Sequence, residues 1–249
     1  MHKNGFVEGA AIAYAAIMLT KLMGAVYNIP FYSIIGDKGG ILYSYAYSIY
    51  TLFLDISTAG IPIAISIVIS EYNSLGKFRS KEKAYSLGLS MVVAISLAAF
   101  VFLQLCSKQI GGYFLKDMTE GVTVDEVAFS VRAVSYCLLI VPFLSMKRGY
   151  LQGHKFLAAP SQSQVIEQFV RIVFVLCGSY IAIKLLHTDV TIGVGVALAG
   201  AAVGAGVALI YLLRAYHANR EQFPVSGSAE AAPDSSGKIL KNIFSHCAT

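Results

Sequence analysis

Charged residues are scarce in this sequence. Only 13% of its 249 residues are charged, whereas a soluble domain carries roughly 25%. Tryptophan is absent, proline occurs six times, and the mean hydropathy is +0.66. The apolar residues come in long continuous blocks, which is typical of membrane helices. These features exclude an ordinary soluble domain and predict an all-α, polytopic membrane helical bundle.

The sequence also lacks the residue sets of enzymes and metal proteins. It contains no Ser/His/Asp set, no HExxH and no phosphate-binding loop. None of its four cysteines forms a CxxC pair, so we expect free thiols and neither a disulfide framework nor a metal site. The net charge of +5 comes from loops beside apolar blocks, which favours a membrane protein over a nucleic-acid partner. We therefore expect no enzyme, no catalytic residue and no cofactor.

Six apolar blocks are long enough for a spanning helix of about 20 residues. They cover residues 6–34, 40–72, 84–107, 127–146, 161–183 and 190–214. The run Gly36-Asp37-Lys38-Gly39-Gly40 predicts a tight turn between the first two blocks. Gly60 and Pro62 predict a break inside the second block, because proline removes a helix hydrogen bond. Such a hinge is either purely structural or part of a transport path.

The blocks suggest a division of the chain into three parts. Residues 1–220 are expected to form a six-helix transmembrane lobe, 221–237 a polar cytoplasmic linker, and 238–249 the start of a seventh helix that is cut short. In this arrangement twelve of the 19 Lys and Arg residues lie on the same side of the membrane as the N-terminus, and four lie on the opposite side. This distribution predicts a cytoplasmic N-terminus.

Ionisable residues inside the blocks are candidates for function, because a charge at the centre of a spanning helix costs about 2.5–3.5 kcal/mol. Lys21 lies near the middle of the first block and either faces a cavity or pairs with Asp55 of the second. Glu167 and Arg171 stand one helical turn apart in the fifth block. They form either a structural ion pair or part of a site.

Three other features have a structural interpretation. Gly200 and Gly204 form a GxxxG motif, which predicts close packing of the sixth helix. Arg132 lies near the outer end of the fourth block, from where its side chain can extend to the interface. Tyr43, Tyr47 and Tyr50 share one face of the second block, and we expect them in an aromatic belt at the outer interface.

Four ordered segments resemble the MurJ/SpoVB-type flippases of the multidrug/oligosaccharidyl-lipid/polysaccharide exporter superfamily. The first segment, similar to the first helix and turn of that family, comprises Thr20-Lys21-Leu22-Met23-Gly24, Tyr27-Asn28-Ile29-Pro30, Gly36-Asp37 and Gly39. The others are Ser57 to Ser66 with Ser70-Glu71-Tyr72, then Arg148-Gly149-Tyr150-Leu151-Gln152-Gly153, and finally Ser163 to Arg171. The chain is thereby identified as the N-terminal lobe of such a protein.

The resemblance implies a function in cell-wall and peptidoglycan synthesis. Proteins of this family flip undecaprenyl-pyrophosphate-linked precursors, such as lipid II, across the bacterial cytoplasmic (plasma) membrane. Two lobes surround a cationic cavity and alternate in access. The implied partners are an anionic lipid-linked glycan precursor, membrane lipids and a C-terminal lobe, with no nucleic acid.

The resemblance also carries candidate residues. Lys21 falls on the basic position of the first-helix motif that is implicated in binding the head group. Asn28 falls on a position that is basic in several relatives, so this sequence departs from the pattern there. With Asp55 and Arg171, these two residues form the candidate substrate-binding set. Gly60 and Pro62 form the candidate hinge.

Two other hypotheses stay open at this point. A cation-coupled drug exporter of the same fold would favour acids in the cavity, whereas bases outnumber unpaired acids at mid-depth here. A non-transporting remnant or assembly partner would account for a sequence that covers one lobe. The sequence also leaves open the lipid substrate, the direction of transport, the oligomeric state, and whether a coupling ion or the membrane potential is used.

Overall fold

The computed structural model describes residues 6–58, 60–115, 121–223 and 233–247. In these ranges the chain forms nine α-helices and no β-strand. They are α1 (Phe6–Val26), α2 (Asn28–Thr58), α3 (Ile61–Ser74), α4 (Phe78–Phe114), α5 (Val124–Ser135), α6 (Val141–Gly153), α7 (Ala158–Tyr180), α8 (Val190–Ala218) and α9 (Ser236–Cys247). Five stretches within the described ranges are long and apolar enough to cross a membrane, and Ala11–Val26 is a shorter apolar helix. The expected all-α membrane bundle is confirmed.

The chain reverses direction within α2, at the predicted turn. Gly36 has φ 65° and ψ −172°, which interrupts the helical backbone. Phe31 and Tyr43 would lie about 18 Å apart along a straight helix, but their ring centroids are 4.8 Å apart. Hydrogen bonds from Tyr27 N to Met23 O and from Phe31 N to Tyr27 O carry the helical path of α1 on into α2. The first span therefore runs almost to Gly36, and the second begins after it.

The second span is broken where Gly60 and Pro62 predicted a break. Gly60 adopts the left-handed conformation with φ 70°, and Pro62 lies in the first turn of α3. The N–H groups of a first turn have no partner within the helix, so proline is tolerated there. The fourth span is also interrupted, by a 3₁₀ turn over Tyr136–Leu139 before α6. Pro142 lies in the first turn of α6. This second break was missed in the sequence because the apolar block continues through it.

Helix α7 connects α1 to α8. It packs along α8 over most of its length and supports α1 on another side, while α3 packs on α4 and α6. The ends of α6 and α8 and the start of α4 come together around Lys81, Lys147 and His154, and we call this the basic end. Every spanning helix thus contacts at least two others, which fixes the positions of the polar groups described below.

Helix α9 follows residues 224–232 and returns to the lobe. Residues 224–232 make up most of the predicted linker and lie outside the described residues. Helix α9 packs on α3 and α4, and Ile239 and Ile243 are fully buried there. Asn242 donates a hydrogen bond to Glu71 at the end of α3 (3.0 Å). The residues predicted to start a seventh helix are therefore helical up to Cys247.

Candidate functional site

A carboxylate and two guanidinium groups meet in the interior of the lobe. Glu167 Oε1 accepts a hydrogen bond from Arg171 at 2.8 Å, one turn along α7. Its other oxygen, Oε2, accepts one from Arg148 of α6, also at 2.8 Å. The side chains are only 13–17% exposed. We call Arg148, Glu167 and Arg171 the charged triad.

Arg148 is the member of the triad that sequence reasoning missed. The apolar pattern placed Arg148 in a loop at the membrane surface, whereas α6 extends to Gly153 and turns Arg148 toward α7. Its Nε atom also donates to Ser163 Oγ at 2.8 Å. The Arg148-Gly149 segment and the Ser163 to Arg171 segment, recognised as separate motifs, are thus parts of one structure.

Small residues bring α8 against the triad. A Cβ atom at Gly204 would lie 2.7 Å from the carbonyl oxygen of Glu167, and one at Gly200 would lie 2.9 Å from Val175 Cγ2. Real Cβ atoms do not approach other atoms so closely, so both positions require glycine as the helices stand. The GxxxG pattern therefore forms the close α7–α8 contact that it predicted.

Three tyrosines of α2 lie near Arg171 instead of forming the expected interfacial belt. Tyr43 is 7% and Tyr50 is 2% exposed, and the Tyr43 and Tyr47 rings stack at 5.7 Å. All three lie within electrostatic range of Arg171. The belt interpretation was wrong because the turn at Gly36 directs this face of α2 toward α5, α7 and α8, away from lipid.

The other substrate-binding candidates lie apart from the triad, on the surface of the lobe. Lys21 and Asn28 are both exposed and stand seven residues apart, on one face of the continuous helical path of α1. Asp55 is exposed on α2, in a row with Ser44 and Ser48. Within the described residues Lys21 and Asp55 form no ion pair, so the pairing that the sequence left open is not present. We call these five residues the exposed polar rows.

The candidate hinge at Gly60 and Pro62 packs against α6. A Cβ atom at Gly149 would lie 2.5 Å from Pro62 O, and one at Gly153 would lie 2.7 Å from Ser66 O. Gly149 and Gly153 thus bring the backbone of α6 into contact with α3 directly after the break. On its other side Gly60 meets α9, since a Cβ atom there would lie 3.3 Å from Cys247 O.

Arg132 is half-buried on α5, next to α4. Its Nε atom donates to Ser107 of α4 at 2.7 Å, and its backbone carbonyl accepts a 3.4 Å hydrogen bond from Gln104. The extension of this side chain to the membrane interface stays a prediction. Arg132 connects α4 to α5.

The basic end holds a buried polar cluster that the sequence did not reveal. Lys81 is fully buried and lies 3.1 Å from His154 Nε2, while Nδ1 of the same ring lies 2.8 Å from Tyr150 O. An ammonium group only donates, so Nε2 accepts and Nδ1 carries the proton. Burial lowers the pKa of His154 to about 4, and the charges of Lys81 and Lys147 act in the same direction. The ring is therefore neutral at pH 7.

The described part of the chain offers no metal-binding cluster. It contains no group of three or more His, Cys, Asp or Glu side chains placed to hold a metal ion. The four cysteines are free thiols.

Comparison with known proteins places the chain in a family. Residues 6–235 match the family model described as polysaccharide biosynthesis protein. The lipid II flippase MurJ of Bacillus subtilis (strain 168) is 36% identical over 210 residues, which cover 83% of this chain and 38% of that protein. Stage V sporulation protein B of the same organism is 29% identical over 176 residues, covering 70% and 32%.

Solved transporters share the fold. A transporter of the MOP superfamily from Pyrococcus furiosus superposes with a TM-score of 0.74 at 14% identity, over 99% of this chain and 52% of that one. An outward-facing multidrug resistance MATE family transporter gives 0.67 at 16% identity, over 97% and 51%. The chain spans about half of these transporters and less than half of the curated relatives. It belongs to the polysaccharide biosynthesis protein family, as a MurJ/SpoVB-type chain with the fold of one MOP-transporter lobe.

Proposed function

We propose that this chain is the N-terminal lobe of a flippase that moves an undecaprenyl-pyrophosphate-linked cell-wall precursor, lipid II or a similar molecule, across the cytoplasmic membrane by alternating access. The named activity of the MurJ relative, 36% identical to this chain, supports the reaction class. The chain would supply one wall of the transport cavity. A C-terminal lobe would supply the other.

The observation that carries this proposal is the pair of exposed polar rows. Lys21 is exposed on the shorter apolar helix Ala11–Val26, and Asn28 and Asp55 are exposed on a stretch that is apolar enough to span a membrane. A charged side chain turned toward the middle of the bilayer costs about 2.5–3.5 kcal/mol on insertion scales. Facing a water-filled cavity or a second lobe removes that cost. The rows therefore mark the wall of a polar path.

The balance of charge in the charged triad and the exposed polar rows favours an anionic substrate over a cationic drug. Lys21, Arg148 and Arg171 contribute three positive charges, whereas Asp55 and Glu167 contribute two negative charges. Glu167 already binds both arginines of the triad, so one positive charge is in surplus there. A pyrophosphate head group would neutralise that surplus, whereas a cation would add to it.

The basic end is cytoplasmic in this proposal. Lys77 between α3 and α4, the lysines at the start of α4 and those of α9 lie on this side, and such residues are enriched in cytoplasmic segments. In this orientation α1 starts in the cytoplasm, and Gly36 turns the chain at the outer surface. Lys21 then lies within the membrane, between the two surfaces.

Complementation tests the function. The chain alone, and the chain extended by the second lobe of a relative, are expressed in cells depleted of their lipid II flippase. We expect growth with the extended chain only. We expect Lys21→Ala to abolish that growth, while Lys108→Ala, which removes an exposed lysine near the opposite end of the lobe (62% side-chain exposure), leaves it intact.

Other outcomes discriminate between the hypotheses. Growth supported by the chain alone would show that one lobe suffices, as a pair of copies. Absence of growth with both chains, although both are found in the membrane fraction, would contradict the flippase proposal and favour a non-transporting partner. Equal loss with Lys21→Ala and Lys108→Ala would contradict the role of Lys21.

A further inference from the structure

The charged triad divides one carboxylate between two arginines. Arg171 occupies Oε1 of Glu167 and Arg148 occupies Oε2, each at 2.8 Å. With both oxygens in use, the carboxylate neutralises one guanidinium, and the triad keeps a net charge of +1. Because the three side chains are at least 83% buried, water compensates little of this charge.

The two arginines are not equivalent. The Nε atom of Arg148 donates to Ser163, so this guanidinium has partners on two of its nitrogens. The Nε atom of Arg171 is buried without a hydrogen-bond partner among the described residues. An unpaired buried donor of a charged group is costly. The unmet hydrogen-bonding capacity of the triad therefore lies on Arg171.

Arg148 is also the more firmly fixed of the two. It precedes Gly149, whose backbone lies against the carbonyl of Pro62 with no room for a Cβ atom. Ser163, which accepts from Arg148, is fully buried and itself donates to Pro160 O at 2.6 Å. The backbone next to Arg148 is thus fixed by α3, and its side chain is fixed by α7.

We propose that Arg148 is a positioning residue that keeps Arg171 available to an anion. By holding Oε2 of Glu167, Arg148 prevents the carboxylate from closing on Arg171 with both oxygens. Arg171 then retains positive charge and a free donor toward a phosphate or pyrophosphate group. When an anion binds Arg171, Arg148 and Glu167 remain as a neutral pair. This inference rests on the proposed function, in which Arg171 contacts the head group.

The charge balance can be tested by substitution. Farnesyl diphosphate is titrated into the purified chain in detergent, with farnesol as the uncharged blank. We expect Arg148→Ala to raise the Kd at least about tenfold, because Glu167 is then free to neutralise Arg171. Adding Glu167→Gln to Arg148→Ala removes that competitor, and we expect the Kd to return to within about threefold of the wild type.

Two further variants separate this role from a general loss of charge. Arg214→Ala removes an exposed arginine of α8 and should leave the Kd unchanged. Arg171→Ala should abolish binding, and Glu167→Gln should fail to rescue it, since Arg171 itself contacts the anion. Binding by Arg148→Ala equal to the wild type, or no rescue by the added Glu167→Gln, overturns the positioning role.

A measurement without ligand tests the sharing of Glu167. In thermal unfolding, Arg148→Ala and Arg171→Ala should each leave a neutral pair, whereas the double variant leaves a buried carboxylate alone. The double variant should therefore lower the Tm by clearly more than the sum of the single shifts. Additive shifts overturn the proposal whatever the ligand. If the wild type does not distinguish farnesyl diphosphate from farnesol while the Tm shifts are non-additive, the proposed function fails although the carboxylate is shared.

Discussion

Gly204 of α8 lies against the backbone of Glu167, so close that a Cβ atom would stand 2.7 Å from the Glu167 carbonyl oxygen. The same Cβ atom would lie 3.3 Å from Arg171 Cβ. The helix that carries both charged residues is therefore in direct backbone contact with α8. A side chain at Gly204 must push the two helices apart and move the triad with them.

We therefore expect Gly204→Ala to lower the free energy of unfolding by about 1–3 kcal/mol, the usual cost of overpacking. Gly206→Ala is the matched control, because a Cβ atom there meets nothing within 4 Å. In the middle of a helix alanine is more stable than glycine by about 0.5–1 kcal/mol. Denaturation of both variants in detergent checks the prediction, and equal effects of the two substitutions would contradict the close α7–α8 contact.

Acidification should destabilise the lobe through His154. The pKa of His154 is about 4 in the folded chain, whereas the ordinary value of 6.5 applies to the unfolded chain. As the pH falls, the unfolded chain is therefore protonated before the folded chain. The contribution of the neutral His154 ring to the free energy of unfolding is fully present above about pH 6.5. It is lost as the pH falls toward 4, by at most about 3 kcal/mol. Thermal unfolding between pH 7 and 4 measures this loss.

The control for this prediction is a histidine elsewhere on the lobe. His154→Gln removes the titrating ring and should flatten the dependence of Tm on pH in this window. His217→Gln, at an exposed position of α8, should leave that dependence unchanged. A steep dependence that persists in His154→Gln would assign the titration to another group.

Local spacing decided which parts of the site could be predicted. Glu167 and Arg171 are one turn apart on the same helix, so their pairing follows from the sequence alone. Arg148 comes from another helix, and its approach depends on how α6 packs on α7. Lys81 and His154 are 73 residues apart, and no periodicity relates them. Tertiary packing, which the sequence does not display directly, determines both contacts.

In the fold, too, local features could be predicted from the sequence and features set by tertiary packing could not. Glycine and proline predicted the reversal at Gly36 and the break at Gly60, because these residues change backbone geometry locally. Hydrophobicity predicted the spans but not their ends, since helices such as α4 continue beyond the apolar block. The sequence pattern also placed Tyr43 and Tyr50 at the interface, whereas both are buried, because tyrosine suits both an interface and a packed core.

Helix α9 should be held to the lobe by two isoleucines. Ile243 is fully buried, and the adjacent Phe244 is 55% exposed. Ile243→Ala should therefore weaken the docking of α9 by about 2–5 kcal/mol, whereas Phe244→Ala should have little effect. Trypsin cleavage at Lys238 and Lys241 reports the docking, and we expect it to accelerate only in Ile243→Ala. Equal cleavage rates in both variants would mean that α9 is not docked as the structure shows.

The contact between α6 and the hinge is the last testable relationship. Gly149→Ala would place a Cβ atom 2.5 Å from Pro62 O, and a backbone carbonyl has little freedom to move away. The substitution should displace α3 at the break and lower the free energy of unfolding by about 1–3 kcal/mol. Gly112→Ala in α4, where a Cβ atom meets nothing within 4 Å, is the control.

The displacement of α3 has its own readout. Pro62 and Gly60 lie between α6 on one side and Cys247 of α9 on the other, with the Cβ position of Gly60 only 3.7 Å from Cys247 Cβ. A shift of α3 should therefore expose Cys247, and its alkylation by a maleimide should become faster in Gly149→Ala than in Gly112→Ala. If Gly149→Ala is destabilised but Cys247 reacts at the control rate, α6 supports the lobe without setting the position of the hinge.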